Sequence, residues 1–506
     1  MENKKITKEQ ILIGAFILFA GFCITMASTL NPFTRSMPGR DSSVQIYFAR
    51  MTLEGRLPYK EMFDHKGSFM HLIDMIGLTI AGGRTVGIWF LEWLSMCLAI
   101  FGIYKMGGYL CKNKYVTLLS SVACIFFITP YFEGGNMTEE WALPFIIWSL
   151  YIFVRFLKSG RYTYKAIFFA GMLLGAVLLI RANMIAVWIV WPVVILFDIL
   201  AGKTRPKEKI QFLLKIIICF FGGIVVFTVP FVLWNVSKGT LSYFVDAYWT
   251  SNLVYSKDGK SIVVLLKTIA QFVLADPILP AIFFLYVIVF AALIKKGRIS
   301  EKSEIRIFIG EVWFIFLSYL LMCMSGNTFP HYAMVLIPCL AIPFLSLTEM
   351  LYDAFSPDIA AGRMFLVVSV LFVTLSGNFV TLMYESASTV YYGENDVSND
   401  EIINIIKKHT VAGGNIFVSG GNARFYNATD THWDGLYYYV PYFLKYGDRT
   451  SKDLRDVRPD VIVLMDENDV RGDTEWDKVL DAIEYIVRSD GYEVEWAKRA
   501  VIYSRR

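Results

Sequence analysis

Charged side chains are scarce in this sequence. Asp, Glu, Lys and Arg supply 18% of its 506 residues, and hydrophobic residues supply 56%. Soluble domains carry about 25% charge and about 45–50% apolar residues. One soluble core of this length cannot bury so much apolar surface, which leaves lipid as the solvent for the excess. The net charge is only +4, too small to predict a nucleic-acid partner. Cysteines are few: Cys23, Cys97, Cys111, Cys124, Cys219, Cys323 and Cys339, nearly all in or beside apolar runs. They lack the paired spacing of a metal site or a disulfide framework and read as small apolar side chains. There is no P-loop, and with it no basis for ATP hydrolysis; HExxH, Gly-x-Ser-x-Gly and Cys–His clusters are missing too. Low-complexity segments and internal repeats are also absent.

What the sequence has is long apolar runs. Spans near 11–30, 84–105, 115–130, 140–157, 165–181, 184–201, 212–234, 277–294, 307–325, 332–349 and 364–383 read as about eleven transmembrane helices. Basic residues alternate between the connecting segments. Lys4, Lys5 and Lys8; Lys105, Lys112 and Lys114; Arg155, Lys158 and Arg161; Lys203, Arg205, Lys207 and Lys209; Lys295, Lys296 and Arg298; and Arg363 all fall on one side. The positive-inside rule makes that side the cytoplasm. The expectation is a multi-pass protein of the plasma membrane, N-terminus inside and C-terminus outside. Its first helix is too long for a typical signal-peptide core and reads as an uncleaved anchor.

Two outer segments are long. In the loop 31–83, Val44, Tyr47, Phe48 and Met51, then Phe69, Ile73, Ile76 and Leu78, fall at helical spacing and predict two short amphipathic helices lying on the membrane surface. The segment Asn235–Asp276 holds Tyr243, Phe244, Tyr248, Trp249 and Tyr255, aromatics suited to the interface. From about Glu385 the composition changes. Asn415–Ser419 and Val461–Met465 read as buried strands, Glu475–Arg488 as an amphipathic helix, and Glu493–Trp496 with Val501–Ser504 as a hairpin. The chain thus divides into a transmembrane unit, 1–384, and a small extracellular α/β domain, 385–506. The glycines of that domain (Gly413, Gly414, Gly420 and Gly421) form no dinucleotide fingerprint.

The loop 31–83 is the densest polar region near the membrane. It offers Arg40, Asp41, Ser42 and Ser43, then Arg50 and Arg56, then Asp64, His65 and Lys66. A carboxylate at the membrane can take a proton from an incoming hydroxyl. Neighbouring Arg and Lys can hold a phosphate and stabilise it as a leaving group. Ser42-Ser43-Val44-Gln45 also matches a capping box, so Asp41 and Ser42 can simply start a helix. A second outer loop brings Glu133, then Glu139 and Glu140 where the fourth span begins. Arg181 and Asn183 sit between two apolar runs, and His331-Tyr332 opens the tenth span. Asn136, Asn235 and Asn427 each begin an Asn-x-Ser/Thr sequon.

Asp41-Ser42-Ser43, Tyr47, Gly55-x-x-Pro58-Tyr59-Lys60 and Phe63-Asp64-His65-Lys66-Gly67 together resemble the first outer loop of bacterial GT-C glycosyltransferases. The similarity is to the family 39-like group, which contains protein O-mannosyltransferases, lipid A aminoarabinose transferases and many envelope glycosyltransferases. Phe329-Pro330-His331-Tyr332, Asn415–Gly420 and Arg458-Pro459-Asp460 extend the likeness over most of the chain. The resemblance implies the GT-C fold and a polyprenyl-phosphate sugar as donor. It implies Asp41 as general base of an inverting transfer, and Lys66, Arg181 and Arg56 as candidates for the donor phosphate. Asp64, His65, Glu139, Glu140, His331 and Tyr332 become acceptor- or metal-supporting candidates, a divalent metal being used by some relatives. Protein O-mannosyltransferases carry Asp-Glu where this chain has Asp41-Ser42. That departure turns the expected acceptor from protein towards an envelope glycan or glycolipid. A flippase for lipid-linked sugars, or a glycan polymerase or ligase, stays open as the alternative. Transport predicts buried charges at mid-membrane; Glu311, in the ninth span, is one candidate.

Overall fold

A computed structural model of the chain describes residues 7–34, 36–256, 261–354, 360–391, 397–420, 423–466 and 472–505; Gly421 lies outside them. Apolar runs of this length can satisfy their backbone in lipid only as helices, and helices dominate. The order is α1 (Lys8–Thr25), α2 (Arg40–Leu53), α3 (Ser68–Ile80), α4 (Val86–Gly107), α5 (Lys114–Phe126), α6 (Thr138–Ser159), α7 (Tyr164–Leu178), α8 (Ala186–Ala201) and α9 (Pro206–Ser237). Short helices α10 (Leu241–Phe244) and α11 (Ser251–Tyr255) follow, then α12 (Ile262–Ala275), α13 (Ile278–Lys295), α14 (Lys302–Met322), α15 (Ile337–Ala354) and α16 (Ala360–Tyr391).

Among the described residues, nine helices are long and apolar enough to cross a membrane; the chain is a multi-pass membrane protein. All eleven expected spans are helical. Two of them, α7 and α8, have only 15 and 16 residues, short of the ~20 that a bilayer core requires. The span containing α6 is 78% buried, whereas α9 is only 6% buried and turns Ile218, Phe221 and Leu233 outward. One belongs to the packed centre and the other to the lipid-facing rim.

The two predicted amphipathic helices form, with a correction. Val44, Tyr47, Phe48 and Met51 of α2 do not face lipid. They are buried in one cluster with Tyr426, Trp433 and Tyr438 of the C-terminal domain. The capping box at Ser42–Gln45 does not form either. Gly39 is the N-cap, without a side-chain cap bond. Ser43 Oγ donates to the Pro38 carbonyl at 3.0 Å, and Ser42 Oγ accepts from Asn136 Nδ2 at 3.2 Å. Of the aromatics between α9 and α12, Phe244 and Tyr248 are buried and Tyr243 and Trp249 are exposed.

The last long helix, α16, runs through residue 384 to Tyr391. Beyond it come α17 (Val397–His409), β1 (Ile416–Val418), α18 (Arg424–Thr429), α19 (Gly447–Val457), β2 (Val461–Met465), α20 (Thr474–Asp490), β3 (Glu493–Ala497) and β4 (Ala500–Ser504). The sheet order is β1-β2-β4-β3, with β1 parallel to β2 and the rest antiparallel. Both apolar strands, β1 and β2, are fully buried, as unbroken runs should be. The domain is bolted to α2. Arg50 donates to the Tyr426 and Thr431 carbonyls at 3.2 and 2.5 Å and to Asp430 at 2.6 Å. The Trp433 amide donates to Tyr47 Oη at 2.9 Å, and Tyr438 Oη donates to the Val44 carbonyl at 3.1 Å.

Candidate active site

Where α2, the start of α6, the α7–α8 turn and the C-terminal domain meet, they enclose a cavity of about 490 Å³. Asp41, Lys66, Arg181, Glu139, His65, His331 and Tyr332 all line it. Residues as far apart in sequence as Arg40 and Phe443 are thus gathered at one place.

Asp41 is the second residue of α2, where the helix dipole favours an anion. Its side chain is 49% exposed, so the carboxylate is open to an incoming group. Lys66 arrives on an ordered strap. The Gly67 and Phe69 amides donate to the Ile180 and Leu179 carbonyls at 3.2 and 2.9 Å, and Asn252 Nδ2 donates to the His65 carbonyl at 2.7 Å. Glycine is required at 67, because a Cβ there would lie 2.1 Å from the Leu179 oxygen. This close approach sets Lys66 beside the turn that carries Arg181. Among the described residues the Lys66 ammonium makes no ion pair, so its charge is available to a ligand. Arg181 pairs with Glu139 and stacks over the Tyr332 ring, 4.4 Å from its centroid. The pair fixes the guanidinium, whose remaining donors suit an oxyanion.

Tyrosines close the far side. Tyr332 and Tyr255 hydroxyls are 2.9 Å apart, and Tyr255 also accepts from Asn327 Nδ2 at 2.6 Å and from Tyr442 Oη at 3.3 Å. Tyr439, Tyr442 and Phe443 of the C-terminal domain complete the wall. His65 Nδ1 lies 3.0 Å from Tyr439 Oη. Burial, with the nearby Lys66 charge, pushes its pKa down to about 3, so His65 is a neutral ring here.

Three expected residues lie off the cavity. Arg56 is pinned to Asp434 and to the Trp433 carbonyl, an anchor for the C-terminal domain. Asp64 is fully buried behind the strap, 3.4 Å from His71 Nε2. Glu140 is fully buried and accepts from the Met137 amide at 3.3 Å. Among the described residues no three His, Cys, Asp or Glu side chains come together in a group that could hold a metal ion.

Glu133, Asn136 and Glu92 belong to the site's support; from sequence Glu133 was named only as part of the second outer loop and Asn136 as a sequon, and Glu92 was not singled out. Glu133 holds His331 Nδ1 at 2.5 Å. Glu92, fully buried in α4, accepts from the Asn136 amide at 2.5 Å and from Ser28 Oγ at 2.8 Å. A lone carboxylate inside an apolar span was the available signal.

The architecture is that of a polytopic membrane protein with a GT-C-like fold. The archaeal oligosaccharyltransferase of Archaeoglobus fulgidus, solved with a tethered acceptor peptide, superposes with a TM-score of 0.58 at 12% identity over 98% of this chain and 74% of its own. ArnT from Cupriavidus metallidurans gives 0.57 at 12% identity in the apo state, over 98% and 97%. Bound to undecaprenyl phosphate it gives 0.56 at 11%, over 99% and 98%. The same oligosaccharyltransferase is also known in complex with zinc and sulfate. No curated protein matches the chain at a significant level. Residues 2–353 match the family described as "Putative competence-induced protein Ccs4 N-terminal domain", and the chain belongs to that family.

Proposed function

We propose that this protein is a membrane glycosyltransferase. It moves a sugar from a polyprenyl-phosphate carrier to an envelope glycan or glycolipid acceptor on the outer face of the plasma membrane. Asp41 is the general base: it removes the proton of the acceptor hydroxyl as that oxygen attacks the anomeric carbon. The bond from that carbon to the lipid phosphate breaks with inversion, and the phosphate leaves onto Lys66 and Arg181. One observation carries this reading: an exposed carboxylate, an ammonium with no ion pair among the described residues and a fixed guanidinium share one 490 Å³ cavity. The two GT-C relatives add support, since one was solved with undecaprenyl phosphate and the other with an acceptor peptide. In membranes given labelled polyprenyl-phosphate sugar, Asp41→Asn should abolish transfer; undiminished transfer refutes the assigned role.

Lipid-linked sugar transport is the second reading. Glu311 favours it, a fully buried carboxylate within α14 with neither oxygen hydrogen-bonded among the described residues, because intramembrane acids commonly mark translocation paths. Transport predicts lipid-linked sugar crossing vesicle membranes with Asp41→Asn as fast as with the native residue.

A further inference from the structure

Glu133, Gly134, Gly135 and Asn136 form a turn in which all four residues have positive φ, at 45°, 86°, 80° and 57°. Glycine tolerates this conformation, whereas Glu and Asn adopt it against a steric penalty. Such strain persists only where the surroundings enforce it. Here they do. Buried Glu92 takes the Asn136 amide at 2.5 Å, and the Thr29 amide donates to the Gly134 carbonyl at 2.8 Å. A Cβ on Gly135 would meet Glu92 Oε1 at 2.5 Å, so the turn is moulded around that carboxylate.

The result of this moulding is the placement of Glu133. Its Oε2 accepts from His331 Nδ1 at 2.5 Å and from the His331 amide at 3.4 Å. The imidazole is buried and stacked on Phe329, with an interplanar angle of 12°. With Nδ1 committed to Glu133, the other ring nitrogen is left for the cavity. It lies 3.9 Å from Asp41 Oδ2. A carboxylate that holds one imidazole nitrogen fixes the direction of the other, as in carboxylate–His pairs generally.

We propose that His331 is a positioning residue for the general base: Glu133 orients its ring, and its Nε2 steers the half-exposed Asp41 carboxylate towards the acceptor hydroxyl. This rests on the glycosyltransferase reading and adds to it. Asp41 otherwise has rotamer freedom at the cavity mouth, and a base displaced by about 1 Å loses rate rather than affinity. The strained turn, Glu92 and Glu133 together form the support that removes this freedom.

Two isosteric variants separate the ring's two ends. Asn at 331 keeps a group near the Nδ1 position and abandons Asp41, while Gln keeps a group near Nε2. In purified protein, His331→Asn should lower kcat on the order of 10- to 100-fold with donor KM unchanged. His331→Gln should retain several times more activity than His331→Asn. Unfolding midpoints of both are measured alongside, so that misfolding is scored separately from lost turnover. Native kcat in His331→Asn, equal losses in the two variants, or a change confined to KM overturns the positioning role. Asp41→Asn is run in parallel: full transfer there instead brings down the underlying reading of Asp41 as base.

Discussion

Arg181 gives the sharpest separation of structural from chemical roles. It pairs with Glu139, whose side chain is only 4% exposed. Replacing Arg181 by Leu strands that carboxylate away from water. Breaking a buried pair by removing one partner costs about 3–5 kcal/mol, and the lost stacking on Tyr332 at 4.4 Å adds about 1 kcal/mol more. Removing the stranded charge as well, in Arg181→Leu with Glu139→Gln, should restore at least half of that loss. The expected coupling energy lies in the range of about 0.5–3 kcal/mol for contacting residues. Transfer should not return, because the departing phosphate still lacks its guanidinium. The assay is a double-mutant cycle in detergent solution, read by unfolding midpoint and by sugar transfer. A stable Arg181→Leu protein refutes the buried pair. Native transfer by the double variant refutes the phosphate role.

Further outcomes follow from the same geometry. Gly67→Ala forces a Cβ to within 2.1 Å of the Leu179 oxygen; the strap must shift, costing about 1–3 kcal/mol, and donor KM should rise as Lys66 moves. Arg50→Ala removes bonds to two carbonyls and to Asp430, which is 69% exposed. About 2–3 kcal/mol of docking should go, seen as faster proteolytic release of the C-terminal domain. His65, with its pKa held at about 3, stays neutral when folded but protonates near 6.5 when unfolded. The unfolded state therefore binds the extra proton, and stability falls as pH drops from about 6.5 towards 3. His65→Gln should flatten that acid limb, as measured by unfolding midpoint against pH.

Much of this fold can be read from the chain because lipid enforces a simple rule: long apolar runs become helices. The strands Ile416–Val418 and Val461–Met465 were equally plain, being short, β-branched and unbroken. What covers an apolar stripe was not legible. The spacing of Val44, Tyr47, Phe48 and Met51 announces a buried face, but a membrane surface and a folded domain are both apolar enough to receive it; Tyr426, Trp433 and Tyr438 do so here. Within the site, Asp41 and Lys66 stood out in the polar outer loop 31–83, and Arg181 and His331 at span ends. Arg56 stood out in that same loop, yet it serves Asp434, because charge alone does not tell a ligand contact from an anchor. Glu92 escaped notice inside an apolar run. Its role depends on a turn that bends back to it from 44 residues downstream, a contact no local pattern encodes.

The central claim is that a lipid phosphate sits between Lys66 and Arg181. Native mass spectrometry of the purified protein, loaded with a synthetic polyprenyl phosphate, tests it directly. One phosphate lipid should remain bound to the native chain and be lost from Lys66→Met, with the unfolding midpoint unchanged. No retained lipid, or equal retention by Lys66→Met, would contradict the account.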